Sequence, residues 1–247
     1  MILEIARVTA RQLLGRRRTV LLALLSAVPV LVAALVRAGG GAGGPRVDAD
    51  LVASLFVALI VTLLLPLVAL LFSSAAFGAE IEDGTVVYLL AKPVPRSAIV
   101  GAKLAVASLA TIALAGGATL LAGVVALAGA DGAAGLIVGY TVGVSAGGVA
   151  YCAVFVALSL VTSRALVFGL LYSLVWEGAL AAFFGGIRFL SIRQYALGIA
   201  DAAGVGGRIT ADTLDAVPAI ALALLALLAA VLVAIRRLRS FEIPQAD

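Results

Sequence analysis

Long runs without a charged residue divide this chain of 247 residues. A helix rises 1.5 Å per residue, so about 20 apolar residues cross the roughly 30 Å of hydrocarbon in a bilayer. Lipid offers the backbone N–H and C=O groups no hydrogen-bond partner. A helix pairs these groups with one another within the segment that crosses the bilayer. The pattern predicts an all-α membrane protein with a single transmembrane domain over residues 1–247. Six spans are expected, at about 19–36, 51–77, 104–130, 133–162, 165–186 and 216–235.

Composition agrees with a bilayer environment. Hydrophobic residues make up 64% of the chain and charged residues 12%, whereas soluble domains are about half apolar and about a quarter charged. The net charge of +4 fits an excess of arginine in cytoplasmic loops and at anionic headgroups, and we expect no nucleic-acid partner.

The positions of lysine and arginine predict the orientation, because short cytoplasmic loops retain positive charge. Both termini are expected in the cytoplasm of a cell with a bacterial-type plasma membrane, in agreement with an even number of spans. The inner set is Arg7, Arg11, Arg16, Arg17, Arg18, Lys92, Arg96, Lys103, Arg164, Arg236, Arg237 and Arg239. The outer set is Arg37, Arg46, Arg188, Arg193 and Arg208.

Two segments outside the spans have amphipathic patterns. In residues 1–18, Ile2, Ile5 and Leu13 alternate with Glu4 and Arg7 at helical spacing, which predicts a helix on the cytoplasmic membrane surface. A polar lead-in to the first span, or a cleaved export signal, remains an alternative for this end of the chain. The external segment 186–215 mixes apolar and basic residues and is expected to contain a short helix at the outer surface.

Residues for catalysis are scarce. The chain has no histidine and a single cysteine, Cys152, and it lacks the G-x-x-x-x-G-K-[ST] loop that binds nucleotide phosphates. Histidine-based catalysis is excluded, and cysteine metal sites and a phosphate loop are not available within the chain. We therefore expect no catalytic, cofactor or metal site here.

The cytoplasmic loop after the second span has an unusual order of residues. It begins with the carboxylates Glu80, Glu82 and Asp83, continues with the apolar segment 86–90, and turns basic around Pro93. An apolar helix with charged flanks in the cytoplasm can dock into a groove on a soluble partner, or it can lie on the membrane. The residues alone leave both interpretations open.

This loop and the topology resemble the ABC-2 family of transporter permeases. That family combines six spans and a surface-lying N-terminal helix with a loop that reads acidic residue, Gly-Thr, Leu-Leu, basic-Pro, a basic residue and a further lysine. The matching positions are Glu80, Gly84, Thr85, Leu89, Leu90, Lys92, Pro93, Arg96 and Lys103. Pro95 stands where the family commonly has serine. The resemblance implies that the loop carries a coupling helix that contacts an ATPase.

Two features lie inside the spans. Gly135, Gly139, Gly143 and Gly147 recur every fourth residue, which leaves a groove for close approach of another helix. The neighbour is either a segment of the same chain or a second copy. Glu177 is the one charge well inside a span, and an ionisable group there must be paired, hydrated or neutralised. It either belongs to a translocation pathway or caps a broken helix near Gly178.

The resemblance implies a permease subunit of an ATP-driven exporter. Its partners would be an ABC ATPase subunit, which holds the ATP and Mg²⁺, and a second permease subunit. The spans carry few polar groups, which favours an amphipathic small molecule, drug or lipid as substrate. Two alternatives are an ion-coupled secondary transporter that uses Glu177 and a structural membrane assembly protein.

Overall fold

The computed structural model describes residues 2–14, 17–39, 48–82, 94–130, 132–180, 187–207 and 213–240. This part of the chain is helical and contains no strand. Its α-helices are α1 (Ile2–Leu14), α2 (Arg17–Gly39), α3 (Ala49–Leu55), α4 (Leu65–Glu82), α5 (Arg96–Thr111), α6 (Gly117–Leu127), α7 (Ala133–Val161), α8 (Ala165–Leu171), α9 (Ile192–Ala200) and α10 (Ala216–Ser240). π-helical stretches at Phe56–Leu64, Ile112–Gly116, Tyr172–Leu180 and Asp201–Val205 continue several of these helices, and a 3₁₀ turn covers Ile187–Leu190.

Five continuous helices in the described residues are long and apolar enough to cross a membrane. They are Thr19–Gly39, Ala49–Phe77, Arg96–Leu127, Ala133–Val161 and Ala216–Ser240. The prediction of an all-helical membrane protein is therefore confirmed. The predicted span 165–186 corresponds to a shorter apolar helix, Ala165–Glu177, which rises only about 20 Å. The count of six spans stays a prediction.

The helix that contains α5 begins about two turns before the predicted span at 104–130. Pro95 has an extended backbone, with φ −62° and ψ 136°, and the helix starts at Arg96. The uncharged run begins only at residue 104 because Arg96 and Lys103 precede it. Both side chains donate hydrogen bonds to backbone carbonyls of other helices, and these bonds allow charged residues within the packed helix.

The central helix of the bundle is α7, which packs against α4, α5, α6, α9 and α10. Aromatic side chains fill its contacts with the neighbouring helices. The Phe56 and Tyr140 rings meet edge to face at 5.3 Å, and Phe155 meets Tyr172 in the same way at 6.3 Å. Such pairs contribute stabilising free energy in addition to that from the burial of their apolar surface.

Large apolar side chains also cover the outside of the bundle. On α10 the exposed ones are Val217, Ile220, Leu224, Leu225, Leu228, Leu232 and Val233. A soluble protein does not expose a continuous apolar face of this length. Such a face suits contact with lipid, and it agrees with the bilayer environment that the composition predicts.

Helix α1 packs against α5 and α4. Thr9 and Leu13 are buried in this contact, whereas Arg7, Val8 and Arg11 are exposed. The Thr19 hydroxyl donates a hydrogen bond to the Leu13 carbonyl and so joins the beginning of α2 to the end of α1. The amphipathic pattern therefore corresponds to a helix attached to one end of the bundle, and its position on the membrane surface stays a prediction.

Candidate functional site

Most of the predicted coupling loop lies outside the described residues. This applies to Asp83, Gly84, Thr85, Leu89, Leu90, Lys92 and Pro93. The backbone of Glu80 and Glu82 forms the last turn of α4, and their side chains also lie outside the described part. Arg96 is the one residue of the predicted coupling set whose side chain the structure describes.

Arg96 connects the beginning of α5 to the end of α10. Its Nη1 donates a hydrogen bond of 2.5 Å to the carbonyl oxygen of Leu238, and the contact is partly buried. Leu238 itself is fully buried. Two helix ends that are 142 residues apart in sequence are therefore joined by one guanidinium group.

Lys103 lies two turns further along α5 and is fully buried. Its Nζ donates a hydrogen bond of 2.5 Å to the Ala76 carbonyl and lies 4.4 Å from the centroid of the Phe77 ring. A buried ammonium group needs partners of this kind to offset the loss of hydration. Lys103 thereby connects α5 to the last turns of α4.

The four glycines of α7 lie against the stretch that contains α9. A β-carbon on Gly135 would lie 2.7 Å from the Gly204 carbonyl oxygen, and one on Gly139 would lie 2.7 Å from that of Ala200. The same change at Gly143 would meet the Ala196 carbonyl, and at Gly147 the Ala196 β-carbon at 2.7 Å. In the described part of the chain, the neighbour of this glycine row is a segment of the same chain.

This contact packs α9 against α7, and the predicted position of this helix at the outer surface stays a prediction. Ile192, Ala196, Leu197 and Ala200 are each at most 2% exposed. Glycine at every fourth position of α7 removes the side chains that would hold another backbone away, so the carbonyls of α9 approach α7 directly. The helix is consequently packed into the bundle along this face.

Glu177 is buried, with 2% of its surface exposed, and lies beside the N-terminus of α9. Its Oε1 accepts hydrogen bonds from the Ile192 N–H at 2.8 Å, the Arg193 N–H at 3.4 Å and the Tyr172 hydroxyl at 3.1 Å. The first N–H groups of a helix have no partner within the helix, and a carboxylate there is favoured by the helix dipole. This is the geometry of a helix cap.

A second cap at the same helix end comes from Ser191. Its backbone is extended, and its hydroxyl accepts a hydrogen bond from the Gln194 N–H at 3.4 Å. Ser191 and Gln194 have the S-x-x-Q spacing of a capping box. This spacing is a signal in the sequence for the start of α9 at Ile192.

Arg37 caps the end of α6 at the opposite end of the bundle from Arg96. Its Nη1 donates hydrogen bonds to the carbonyl oxygens of Val125 at 3.2 Å and Ala128 at 3.1 Å. The last carbonyls of a helix lack partners within the helix, and a cation there is favoured by the dipole. The cap gives a structural reason for an arginine on the side predicted to be external.

We expect Arg37→Ala to lower the free energy of unfolding by about 1 kcal/mol, because two terminal carbonyls would lose an exposed, charged donor. Arg239→Ala is the matched control, since Arg239 is another exposed arginine in the last turn of a long apolar helix. Thermal unfolding in detergent measures the difference. Equal melting temperatures for the two variants would contradict the cap.

No group of three or more cysteine, aspartate and glutamate side chains that could hold a metal ion comes together among the described residues. The fully buried thiol of Cys152 lies 3.2 Å from the Thr111 hydroxyl, between α7 and α5. Arg96, Lys103 and Glu177 have a different role, because their polar groups connect one helix to another.

The long apolar helices and their outward apolar faces define a multi-pass membrane protein. Residues 14–185 match the family model described as ABC-2 family transporter protein. The match covers more than half of the chain, and the chain belongs to this family, as its resemblance indicated. It is therefore a permease, the membrane subunit of an ABC transporter rather than a catalytic one. No curated protein matches the chain.

Proposed function

We propose that this permease forms the pathway of an ABC exporter by pairing with a second copy of itself and recruiting two ATPase subunits. The chain has six spans in this proposal, with both termini in the cytoplasm of a bacterial cell. ATP and Mg²⁺ are held by the ATPase, and the permease contributes no cofactor. Membership of the ABC-2 family is the observation that carries the proposal.

The coupling surface in this proposal is the loop between α4 and α5. Its contact residues are Glu80, Glu82, Asp83, Gly84, Thr85, Leu89, Leu90, Lys92, Pro93 and Arg96. The hydrogen bonds of Lys103 to α4 and of Arg96 to α10 support this assignment, because they connect the helix that follows the loop to its neighbours. A force applied to the loop would consequently act on packed helices.

The proposed substrate is an amphipathic small molecule, drug or lipid. The support is the apolar character of the spans, in which most described polar side chains donate to a helix carbonyl. Examples are Thr111 to Ala107, Thr119 to Ala115 and Ser145 to Thr141. A hydroxyl group that is already bonded to a helix carbonyl is less able to replace the water molecules that hydrate a strongly charged ion.

We expect the double variant Glu82→Lys and Asp83→Lys, and separately Val87→Pro, to reach the membrane but to lose the ATPase. The first reverses the acidic start of the loop, and the second removes a backbone donor from the predicted coupling helix. Co-purification from native membranes in mild detergent measures the association. Asp50→Lys, an exposed charge reversal on the predicted outer side, is the control and should retain the ATPase.

Variants that still retain the ATPase and its hydrolysis rate would show that the loop is not the coupling surface. If the unaltered chain copurifies with no ATPase and instead supports proton-dependent flux in liposomes, the ion-coupled alternative is favoured and the exporter proposal fails.

A further inference from the structure

The position of Arg96 is unusual for an arginine. It is the first residue of α5, where the helix dipole presents its positive end, so a cation there is disfavoured by its own helix. Its guanidinium instead reaches the last turn of α10 and donates to the Leu238 carbonyl. Leu238 lies in the last turn of α10, which ends at Ser240. The contact with α10 therefore accounts for the placement.

The C-terminal end of α10 is tightly packed next to its hydrogen bond with Arg96. Ala234 and Leu238 are both fully buried, although most of the other large side chains of α10 face outward. Helix α10 also packs against α5 itself. A displacement of the beginning of α5 would be passed to α10 through this packing and through the Arg96 hydrogen bond.

The N-terminal end of α10 packs closely against α9. A β-carbon on Gly198 would lie 2.5 Å from the Leu214 carbonyl oxygen and 2.7 Å from the Ala219 β-carbon, and Ala219 is fully buried. The residues from Ala219 to Leu238 rise about 28 Å as one continuous helix, close to the thickness of the hydrocarbon core. One unbroken helix therefore joins the Arg96 contact to α9 on the other side of the bundle.

We propose that Arg96 is a positioning residue for energy coupling, through which movement at the beginning of α5 reaches α10 and then α9. The inference rests on the proposed function, because the ATPase supplies the movement. In this proposal helix α10 moves as one unit, because it contacts Arg96 at its C-terminal end and Gly198 of α9 near its N-terminal end. At the far end of the same connection, the Ile192 and Arg193 N–H groups of α9 donate hydrogen bonds to the Glu177 carboxylate.

The test uses the permease with its copurified ATPase in liposomes, and it needs no substrate. Leu190→Cys in a Cys152→Ala background places one exposed thiol just before α9. The labelling rate of this thiol by a membrane-impermeant maleimide is measured with and without ATP plus vanadate. Arg96→Gln removes the charge of the donor, Arg96→Lys keeps a charged donor, and Arg237→Gln neutralises an exposed arginine of the same α10 end.

We expect the nucleotide-dependent change in labelling rate to fall at least about fivefold in Arg96→Gln, the lower end of typical coupling between sites. It should be partly restored in Arg96→Lys and unchanged in Arg237→Gln. The melting temperature should stay at the value of the Arg237→Gln control. The labelling rates are compared at equal amounts of bound ATPase, because Arg96 is also one of the proposed contact residues of the loop.

Equal labelling changes in Arg96→Gln and Arg237→Gln would overturn the inference. A loss of the labelling change in Arg96→Gln that Arg96→Lys does not restore at all would also overturn it. The same holds for a loss that is accompanied by a matching loss of thermal stability, because either result indicates a structural role for Arg96. A failure of the parent protein to retain any ATPase is a different result, and it contradicts the proposed function.

Discussion

Replacing Gly143 of α7 by leucine is expected to abolish folding of the permease. A single β-carbon at this position would already meet the Ala196 carbonyl oxygen, and it would lie 2.6 Å from the Ala200 β-carbon. The first of these neighbours is backbone within a buried helix, so it cannot move aside as a flexible side chain would. Leucine adds three more carbons to the same space, and α9 would have to leave its place on α7.

Gly143→Ala is the informative intermediate variant. In a helix, alanine is more favourable than glycine by roughly 0.5–1 kcal/mol, so propensity alone predicts a gain in stability. Overpacking against α9 predicts a loss of about 1–3 kcal/mol instead. The sign of the change in melting temperature in detergent therefore separates packing from propensity.

Gly101→Ala is the matched control for this experiment. Gly101 is an exposed helical glycine of α5, and an added β-carbon would meet nothing within 4 Å. We expect this variant to be as stable as the parent or slightly more stable. If Gly143→Leu gives normal yield, melting temperature and oligomeric mass, the glycine row holds no close helix contact.

The span positions could be predicted well from the sequence, because a bilayer imposes one length on every crossing helix. Predicted bounds 51–77 and 133–162 correspond to the helices Ala49–Phe77 and Ala133–Val161. The start of α5 could not be found from the same rule. Lys103 would be costly in lipid, but it lies inside the bundle against Ala76 and Phe77, which no count of charges along the chain can show.

The glycine row shows where periodicity stops being informative. Spacing by four residues indicates that one face of α7 accepts a close neighbour, and the structure has such a neighbour. The identity of that neighbour depends on how the chain returns after Glu177, because residues from Ala196 to Val205 supply the contacts. Long-range contacts of this kind have no signature in a local pattern.

Glu177 is a further case in which the residue could be found but its partners could not. A lone carboxylate inside a span must be satisfied, yet its donors Ile192 and Arg193 are backbone groups fifteen and sixteen residues further along the chain. Backbone N–H groups occur at almost every residue, so their availability at a helix start is visible only after α9 has been placed.

We expect Glu177→Ala to lower the free energy of unfolding by about 1–3 kcal/mol, and Glu177→Gln to leave fold and transport close to those of the parent protein. Alanine would leave the Ile192 and Arg193 N–H groups and the Tyr172 hydroxyl without an acceptor in a buried place. Glutamine keeps a carbonyl oxygen in nearly the same position, so the cap can still accept these hydrogen bonds.

Tyr172→Phe is the control that removes one donor and keeps the carboxylate with its two backbone partners, so its effect should be smaller than that of Glu177→Ala. The melting temperature in detergent and the rate of ATP hydrolysis by the copurified ATPase are measured for all three variants. A Glu177→Gln protein with the melting temperature of the parent but without coupled hydrolysis would contradict the cap. It would mean that the negative charge itself is used, and Glu177 would then belong to the translocation pathway rather than to the support of α9.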